Sequence, residues 1–348
     1  MQKSKIKKEN SLDRKFRLSE FLAEYTIKGV SFISFAVIVL IFLFVFRETL
    51  PVFSGGGETV DHSRHQEYET YGEEHLNVNT DNIQGDYSSF MSAEEKVDFA
   101  NLMGEEWQPV SSKPKFGLWP LIAGSLKVTL IAIIIGFPLA VFAALYTAVF
   151  ASGRLKEIIK PAIELLAGFP SVVVGFFALV TLATLFQNIF GFQFRLNAFV
   201  GGVAMALAVI PLVFTVAEDA INSVPKYYTE AGLALGANKW QTALFVILPA
   251  ATPGIFAALL LGFGRAFGET MIVLMATGNA PTFNFDIFEP VRTLSATIGA
   301  EMAEVVYGDT HYTVLFLIGS ILFIFTFVLN AVAEFWVRKK LLKRFRGE

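Results

Sequence analysis

Six long apolar runs restrict the fold of this chain more than any other feature. Each has about 20 residues or more, and a helix rising about 1.5 Å per residue needs about 20 residues to cross a bilayer core. The runs are Ile27 to Phe46, Val128 to Phe150, Leu165 to Phe186, Leu196 to Ala217, Ala250 to Leu274 and Tyr312 to Val332. Of the 348 residues, 54% are hydrophobic and 17% are charged, outside the usual range of a soluble domain. We predict an all-α, polytopic membrane protein with six spanning helices.

Basic residues predict the orientation of the chain. Seven Lys or Arg residues lie among the first 17 residues, and six lie in the tail 337–348. An even number of spans places both termini on one side, and the positive-inside rule makes that side the cytoplasm. The basic connection 151–160 falls on the same side by the same count. We therefore expect cytoplasmic termini and a location in the cell inner membrane, with lipid around the spans and no nucleic-acid partner.

The six predicted spans and the basic residues around them divide the chain into segments. The expected segments are a basic N-terminus 1–26, a first spanning helix 27–46, an acidic periplasmic segment 47–117, a core of five spanning helices 118–337 and a basic tail 338–348.

The segment 47–117 differs from the rest of the chain in composition. It holds 14 acidic residues against five Lys or Arg, with few clustered apolar residues. The histidines of "DHSRHQE" (61–67) suggest either a solvated loop or a metal site, and we favour the loop, so no metal is expected. Ser92 and Glu95 occupy capping-box positions in 91–103, which predicts a short surface helix.

The inner connection contains "TEAGLALGANKWQTALFVILPAATPGI", 229–255. Thr229 or the residues before it can cap a short helix that Gly236 ends, and a second short helix follows. Pro249 and Pro253 are expected to close that second helix before the fifth span. The pattern predicts two short amphipathic helices against the inner face of the membrane.

This connection resembles the coupling loop of ABC-importer permeases, whose pattern is Glu-Ala-Ala, three residues, Gly, nine residues, then aliphatic, any residue, Leu and Pro. The matching positions are Glu230, Ala231, Gly232, Gly236, Val246, Leu248 and Pro249. Only Gly232 departs from the pattern, since Gly replaces Ala. The resemblance implies the type I permease fold, with the coupling loop at 218–249.

The resemblance also implies a partner. The sequence has no G-x-x-x-x-G-K-[ST] loop to hold the phosphates of ATP. We therefore expect a transport subunit rather than an enzyme, with no cofactor on this chain and with ATP and Mg bound by a separate ATPase subunit. In the family, closure of the ATPase moves the membrane helices between inward-facing and outward-facing states.

Two further stretches indicate a substrate class. "IELLAGFPSVVVGFFAL" (163–179) and "LGFGRAFGETMIVLMATGNAP" (261–281) are similar to permeases of the phosphate-specific ABC importer, more closely to its C-type subunit, as is "RTLSATIGAEMAEV" (292–305). This likeness implies inorganic phosphate as substrate. It also implies three kinds of partner: a second, similar permease subunit, two ATPase subunits and a periplasmic phosphate-binding protein.

Prolines and glycines within the spans are candidate hinges. Pro170 removes a backbone donor and is expected to kink the third span, and Gly168 and Gly175 let a neighbouring helix approach closely. Plain packing is the alternative role for these three residues. Pro138 and Pro211 are expected to interrupt the second and fourth spans in the same way.

Arg265 and Glu269 are charges inside an apolar run. Counted from Pro253 at the inner edge, Arg265 lies about 18 Å deep, near the bilayer midplane. A charge there costs at least about 2.5 to 3.5 kcal/mol, so it should face a partner or a polar path. The two form either a structural pair on one helical face, at i and i+4, or a phosphate site in which Arg265 binds the oxyanion. Thr270 and Asn279 are further candidates for the substrate path.

Three rival functions stay open at this stage. One is a permease for another oxyanion or small solute, such as molybdate or sulfate. A second is an intramembrane enzyme, against which the spans lack a metal-ligand cluster or a nucleophile beside a base. A third is a passive channel, which would not need a coupling loop.

Overall fold

A computed structural model describes residues 18–54, 99–111 and 113–336 of the chain. The chain divides into two units, Met1–Arg47 and Glu48–Glu348. The basic termini, the histidines of "DHSRHQE" and the capping-box pair of the acidic segment all lie outside the described residues, so the predictions for them stay predictions.

The described residues are almost entirely helical. The elements are α1 (Leu18–Ser54), α2 (Phe99–Leu102), β1 (Trp107–Gln108), β2 (Lys115–Phe116), α3 (Trp119–Leu145), π1 (Tyr146–Phe150), α4 (Gly153–Ala167), α5 (Ser171–Phe177), π2 (Ala178–Leu182), α6 (Ala183–Phe190), α7 (Ala198–Asn222), α8 (Lys226–Ala234), α9 (Lys239–Thr242), π3 (Ala243–Ile247), α10 (Leu248–Phe267), α11 (Met271–Ala276), α12 (Leu294–Glu301) and α13 (Thr310–Trp336). The strands β1 and β2 form one antiparallel hairpin, with Trp107 opposite Phe116.

Six helical stretches of the described residues are long and apolar enough to cross a membrane, which confirms the predicted number. They are Glu24–Phe53, Trp119–Phe150, Ser171–Phe190, Ala198–Asn222, Lys239–Phe267 and Thr310–Val332.

Helix α7 is the centre of the second unit and packs against both α3 and α10. Small residues make the crossings close. A Cβ added to Gly136 would lie 3.3 Å from the Cβ of Ala206, and one added to Gly262 would lie 2.6 Å from a methyl group of Val213. Because lipid gives apolar helices no hydrophobic reason to associate, such close van der Waals packing stabilises the bundle.

The third span differs from its prediction. It begins at Ser171 rather than at Leu165, because Pro170 adopts an extended backbone (ψ 136°) and separates α4 from α5. Pro170 therefore does not kink a continuous span. Gly168 ends α4, and its N–H donates to the carbonyl of Glu164.

Pro138 and Pro211 lie inside α3 and α7, which continue through them, so the predicted interruptions are wrong. Membrane helices tolerate proline where neighbouring groups satisfy the freed backbone.

The fifth span also differs from its prediction. Pro249 and Pro253 do not close a helix, because α9, π3 and α10 follow one another without a break from Lys239 to Phe267. Within π3 the N–H of Leu248 reaches five residues back to Ala243, and the chain continues as α10. Pro253 consequently does not mark the inner end of the helix. The depth of about 18 Å that was counted for Arg265 from Pro253 is therefore not supported.

A substitution at Gly124 tests the packing of α3. A Cβ there would overlap the backbone carbonyl of Arg292, which precedes α12. Since backbone cannot be moved aside as a flexible side chain can, Gly124→Ala should destabilise the protein by about 1–3 kcal/mol. The measurement is the thermal unfolding midpoint in detergent. Gly264→Ala is the matched control, because nothing lies within 4 Å of its added Cβ. Equal midpoints for the two variants would contradict this packing.

Candidate functional site

Arg265 and Glu269 lie on either side of the end of α10. The helix ends at Phe267, and the N–H of Gly268 reaches the carbonyl of Gly264 at 3.3 Å. The prediction that both charges share one helical face is therefore wrong, although they do form an ion pair. Its length from Nη2 to Oε2 is 3.8 Å, which exceeds a hydrogen bond.

The two side chains differ in exposure. The Arg265 side chain is 57% exposed and the Glu269 side chain is 9% exposed. Leu261, one turn before Arg265 on α10, is also exposed. Arg265 thus stands on a face of α10 that the described residues leave exposed, next to the carboxylate of Glu269, which they largely cover.

Helix α12 fixes the position of Glu269 and Thr270. The hydroxyl of Ser295 donates to the backbone carbonyl of Glu269. The side chain of Thr270 rests against Gly299, where an added Cβ would overlap its methyl group. The break between α10 and α11 is therefore held by contacts from a distant part of the sequence.

Asn279 has a different partner from the other predicted path residues. It adopts a left-handed backbone (φ 51°), and its Oδ1 accepts a hydrogen bond from Nε of Arg292 at 3.1 Å. The adjacent Gly278 pairs with Val291 in an isolated bridge. The structure thus places Asn279 beside Arg292, and its contacts do not join it to Arg265.

Arg292 belongs to a set of residues of which sequence reasoning singled out Asn279 alone. We call Trp107, Asn279, Arg292, Glu301 and His311 the carboxylate cluster. Glu301 accepts from Arg292, from Trp107 Nε1 at 3.1 Å and from His311 Nε2 at 2.9 Å. It ties the β-hairpin and the segment before α12 to the start of α13. The stretch 292–305 was recognised as typical of phosphate permeases, but no spacing rule links its Arg292 and Glu301 to Trp107 or His311.

Electrostatics keep Glu301 ionised. Burial alone would raise its pKa, but the hydrogen bonds from His311 and Trp107 and the charge of Arg292 outweigh burial, so the pKa of Glu301 is lowered from its ordinary value. The cluster therefore holds a half-buried carboxylate that accepts hydrogen bonds from three side chains. It is suited to fastening helices rather than to binding an anion.

Gly175 makes the close helix contact predicted for it. An added Cβ would lie 3.1 Å from both the carbonyl of Met271 and the sulfur of Met275. Helix α5 therefore crosses α11 directly beyond the break that holds Glu269. At Gly168 an added Cβ would approach only carbonyls of its own helix, so no neighbouring helix depends on this glycine. A hinge at Pro170, Gly168 or Gly175 stays a prediction.

The predicted coupling loop forms two short helices, α8 and α9. Helix α8 begins at Lys226, so Thr229 lies within it, and Gly236 turns the chain with φ 85°. Asn238 and Gln241 form a capping box that starts α9. Glu230 and Ala231 are exposed on α8, while Leu248 and Pro249 begin α10.

Gly232 is the buried member of the coupling pattern. A Cβ there would lie 3.1 Å from the methyl and 3.2 Å from the hydroxyl of Thr242. The departure from alanine therefore lets α8 lie directly on α9. Beside this contact, the rings of Phe150 and Trp240 meet with centroids 4.2 Å apart, joining π1 to α9.

An ion pair anchors α4 to the end of α7 near this segment. Lys160 Nζ lies 2.8 Å from Oε1 of Glu218, which also accepts from Asn222 at 3.0 Å. The hydrogen bond to Glu218 raises the pKa of Lys160 from its ordinary value. Oε1 of the buried Glu218 thus has two partners, one from α4 and one from its own helix.

Comparisons with known proteins agree with this architecture. The profile of the family described as "Binding-protein-dependent transport system inner membrane component" matches residues 136–341. The "Probable ABC transporter permease protein YqgH" of Bacillus subtilis (strain 168) is 32% identical over 246 residues, which are 71% of this chain and 79% of the relative. The "Phosphate transport system permease protein PstC" of Mesorhizobium japonicum is 31% identical over 260 residues, 69% of this chain and 79% of the relative.

A solved structure shares the fold. It is titled as a bacterial ABC transporter involved in the import of the acidic polysaccharide alginate, and its matching chain is 14% identical, with a TM-score of 0.51 over 75% of this chain and 91% of that chain. The chain has the fold of an ABC-importer permease and is a multi-pass protein of the inner membrane. It belongs to the family of binding-protein-dependent transport system inner membrane components and is a permease subunit of an ABC transporter.

Charge removal at Glu301 should lower stability in a pH-dependent way. Glu301→Gln leaves the half-buried Arg292 without its counter-charge and should cost about 1–3 kcal/mol near neutral pH. A carboxyl group whose pKa is lowered by folding contributes its full stability at pH values above its ordinary pKa of 4.5. That contribution is lost as the pH falls through the lowered pKa. The thermal midpoints of wild type and variant should therefore converge in acid.

The control for this prediction is Glu106→Gln. Glu106 pairs with Lys115 at 2.6 Å, both side chains are exposed, and an exposed pair contributes less than about 1 kcal/mol. A difference between wild type and Glu301→Gln that persists unchanged into acid would contradict the assigned role of this charge.

Proposed function

We propose that the chain is the permease subunit of an ATP-driven importer of inorganic phosphate. The observation that carries the proposal is Arg265, an exposed cation at the broken end of α10 whose nearest carboxylate lies beyond hydrogen-bond length. Support also comes from relatives named as phosphate transport system permease proteins in several bacteria, at about 30% identity.

The chemistry of Arg265 suits an oxyanion. A guanidinium presents five donors in a planar fork and binds phosphate oxygens two at a time. A cation on a spanning helix is costly against lipid, so its exposed side is expected to face a polar path completed by another subunit. The pair with Glu269 is loose enough for Arg265 to exchange that carboxylate for the substrate.

Glu269 supplies a basis for selectivity. An ionised carboxylate accepts hydrogen bonds only, and hydrogen phosphate carries an O–H that can donate to it, whereas sulfate at neutral pH carries none. Because α12 holds Glu269 in place, its carboxylate can accept a hydrogen bond from that O–H group at a fixed position. We assign Thr270 and Asn279 to the walls of the path, since Thr270 borders the break and Asn279 follows α11.

The remaining parts of the proposal concern partners and orientation. The exposed surface of α8 and α9 is assigned to an ATPase subunit, which binds ATP and Mg because this chain has no phosphate-binding loop. Two such subunits, a second similar permease and a periplasmic phosphate-binding protein complete the importer. Both termini are assigned to the cytoplasm, on the side of the coupling segment.

Replacement of Arg265 tests the proposed path. Arg265→Gln should abolish uptake of labelled phosphate by vesicles that contain the reconstituted importer, because the oxyanion loses its charged, bidentate partner. Assembly with the ATPase should be unchanged, since Arg265 lies far along α10 from the coupling segment. Arg265→Lys should retain part of the uptake, because charge stays but the planar fork is lost.

Two results would contradict this assignment. Arg154→Gln replaces another exposed arginine, on α4, and serves as the control, so equal uptake by both glutamine variants would remove Arg265 from the path. Sulfate and molybdate are added as competitors at the same concentration as phosphate. Competition by either anion would favour a permease for another oxyanion.

Replacement of Leu235 tests the assigned ATPase surface. Leu235 is 90% exposed on the turn between α8 and α9. Leu235→Asp places a charge in the contact and should reduce the amount of ATPase that copurifies with the chain, without lowering its thermal midpoint. Val110→Asp is the matched control, because Val110 is an aliphatic residue that is also 90% exposed but lies next to β1. Equal loss of ATPase with both variants, or with neither, would remove this surface from the interface.

A further inference from the structure

Arg195 is an exposed arginine without a carboxylate partner among the described residues. It lies in the short connection from α6 to α7. Its Nη1 donates to the backbone carbonyl of Leu179 at 2.8 Å and to Oγ1 of Thr184 at 3.4 Å. Both acceptors are neutral, and Nε and Nη2 donate to no other part of the chain that the structure describes. The guanidinium therefore keeps an uncompensated charge and N–H groups that can bind a further acceptor.

The two acceptors place this guanidinium deep beside the third span. Leu179 lies 11 residues and Thr184 six residues before the end of α6 at Phe190. At about 1.5 Å per residue these levels are about 16 Å and 9 Å from that end of the helix. Lipid headgroups lie at the edge of a hydrocarbon core about 30 Å thick, so the guanidinium lies below them. A cation at this depth is costly against lipid and is expected to face a partner or a polar path.

Polar side chains continue along the same span. Thr181, Thr184 and Asn188 are all exposed, and their spacing of three and four residues places them on one helical face. Neighbouring exposed side chains, such as Val180 and Leu185, are apolar. We call Thr181, Thr184, Asn188 and Arg195 the polar stripe. Because lipid favours apolar side chains, a polar stripe with an arginine is expected to line water or another subunit.

Helix α11 connects the polar stripe to the break after α10. The helix starts directly after that break and crosses α5 at Gly175, where an added Cβ would lie 3.1 Å from the carbonyl of Met271. Leu179 lies one helical turn beyond Gly175, toward the end of α6. After α11, a Cβ added to Gly278 would lie 3.0 Å from the carbonyl of Leu196, in the connection to α7. The polar stripe therefore begins about one turn from the level of the break.

We propose that the polar stripe forms a second oxyanion subsite on the phosphate path, centred on Arg195 and occupied before Arg265. Nε and Nη2 of Arg195 form the planar edge that binds two phosphate oxygens. The hydroxyl of Thr181 and the amide of Asn188 supply neutral donors along the stripe. Two successive sites let an anion leave the first for the second, which a single tight site would prevent. The inference rests on the proposed phosphate import and deepens it by naming the outer part of the path.

A single introduced thiol can test this subsite, because the sequence contains no cysteine. Thr181→Cys places the thiol on the polar stripe. Val180→Cys is the matched control, since Val180 is the preceding residue, is 50% exposed and lies off the stripe. Each full-length chain is copurified with its partner subunits in nanodiscs, which leave both membrane faces open to reagent. Modification by negatively and by positively charged methanethiosulfonates is followed by the mass of this chain, with and without inorganic phosphate.

Thr181→Cys should react about tenfold faster with the anionic reagent than with the cationic one, because Arg195 attracts anions. Inorganic phosphate should slow this reaction. Adding Arg195→Gln should remove the preference and raise the phosphate concentration for half protection about tenfold or more, the effect of one hydrogen bond to a charged group. Arg195→Lys should keep the preference but weaken the protection, since the planar fork is lost. Arg154→Gln should change neither, and Val180→Cys should react slowly with both reagents.

Three results would overturn the subsite. One is a Thr181→Cys thiol that reacts no faster than the Val180→Cys thiol. Another is labelling that phosphate does not slow, or slows equally after Arg195→Gln. The third is slower labelling in nanodiscs that contain phosphatidylglycerol than in phosphatidylcholine alone, without an effect of inorganic phosphate, because Arg195 would then bind a lipid headgroup. If Arg195→Gln does not assemble, the half-protection concentration of Arg195→Lys decides, since lysine can still donate to the Leu179 carbonyl.

The labelling experiment needs no transport, so it separates the subsite from the proposed function. A wild-type complex that takes up no labelled phosphate, although phosphate protects Thr181→Cys, would reject the importer and leave the subsite supported. Uptake that Arg265→Gln abolishes, without protection of Thr181→Cys, would overturn the subsite and leave the proposed function standing.

Discussion

Close contact between small residues of α3, α7 and α10 is the constraint on which the rest of the second unit depends. In lipid the contact itself must stabilise the bundle, because an apolar helix surface gains little by leaving hydrocarbon. Gly136 and Gly262 bring two neighbours against α7 at distances that larger side chains would not allow. These contacts fix α10 in the bundle and with it the position of Arg265, while contacts from α12 hold the break after Phe267.

Irregular backbone occurs in this bundle where distant segments hold it. The break after α10 is fastened by Ser295 and Gly299 of α12, and π2 is supported by Arg195, which donates to the carbonyl of Leu179 at 2.8 Å. Freed backbone groups are tolerated at membrane depth only with such partners or beside a polar cavity. At the end of α10, Arg265 therefore lies on helical backbone and Glu269 lies on the non-helical backbone that follows.

Local signals in the sequence predicted much of this structure, and contacts between distant segments account for what they missed. Apolar run length gave the six spans, and the fixed spacing around Gly236 gave the paired helices α8 and α9. The end of α10 was missed because the apolar run continues past Gly268 and the contacts that end the helix come from α12. Pro249 was expected to end a helix, yet the helix continues from the π turn π3 into α10 and contains Pro249. The carboxylate cluster joins three separate segments, which no periodicity connects.

The distribution of partners among the positive charges explains why Arg265 is the candidate for the path. Lys160 is paired with Glu218 at 2.8 Å, and Lys127 donates to Asn284 at 2.7 Å and to a backbone carbonyl. Arg292 is held by Glu301 and Asn279. Each would have to give up short hydrogen bonds before it could bind an anion, and that loss is most costly for the half-buried Arg292. Arg265 would give up one ion pair of 3.8 Å, to Glu269. Binding of an oxyanion to Arg265 therefore costs the fold less interaction energy than binding to Lys127, Lys160 or Arg292 would.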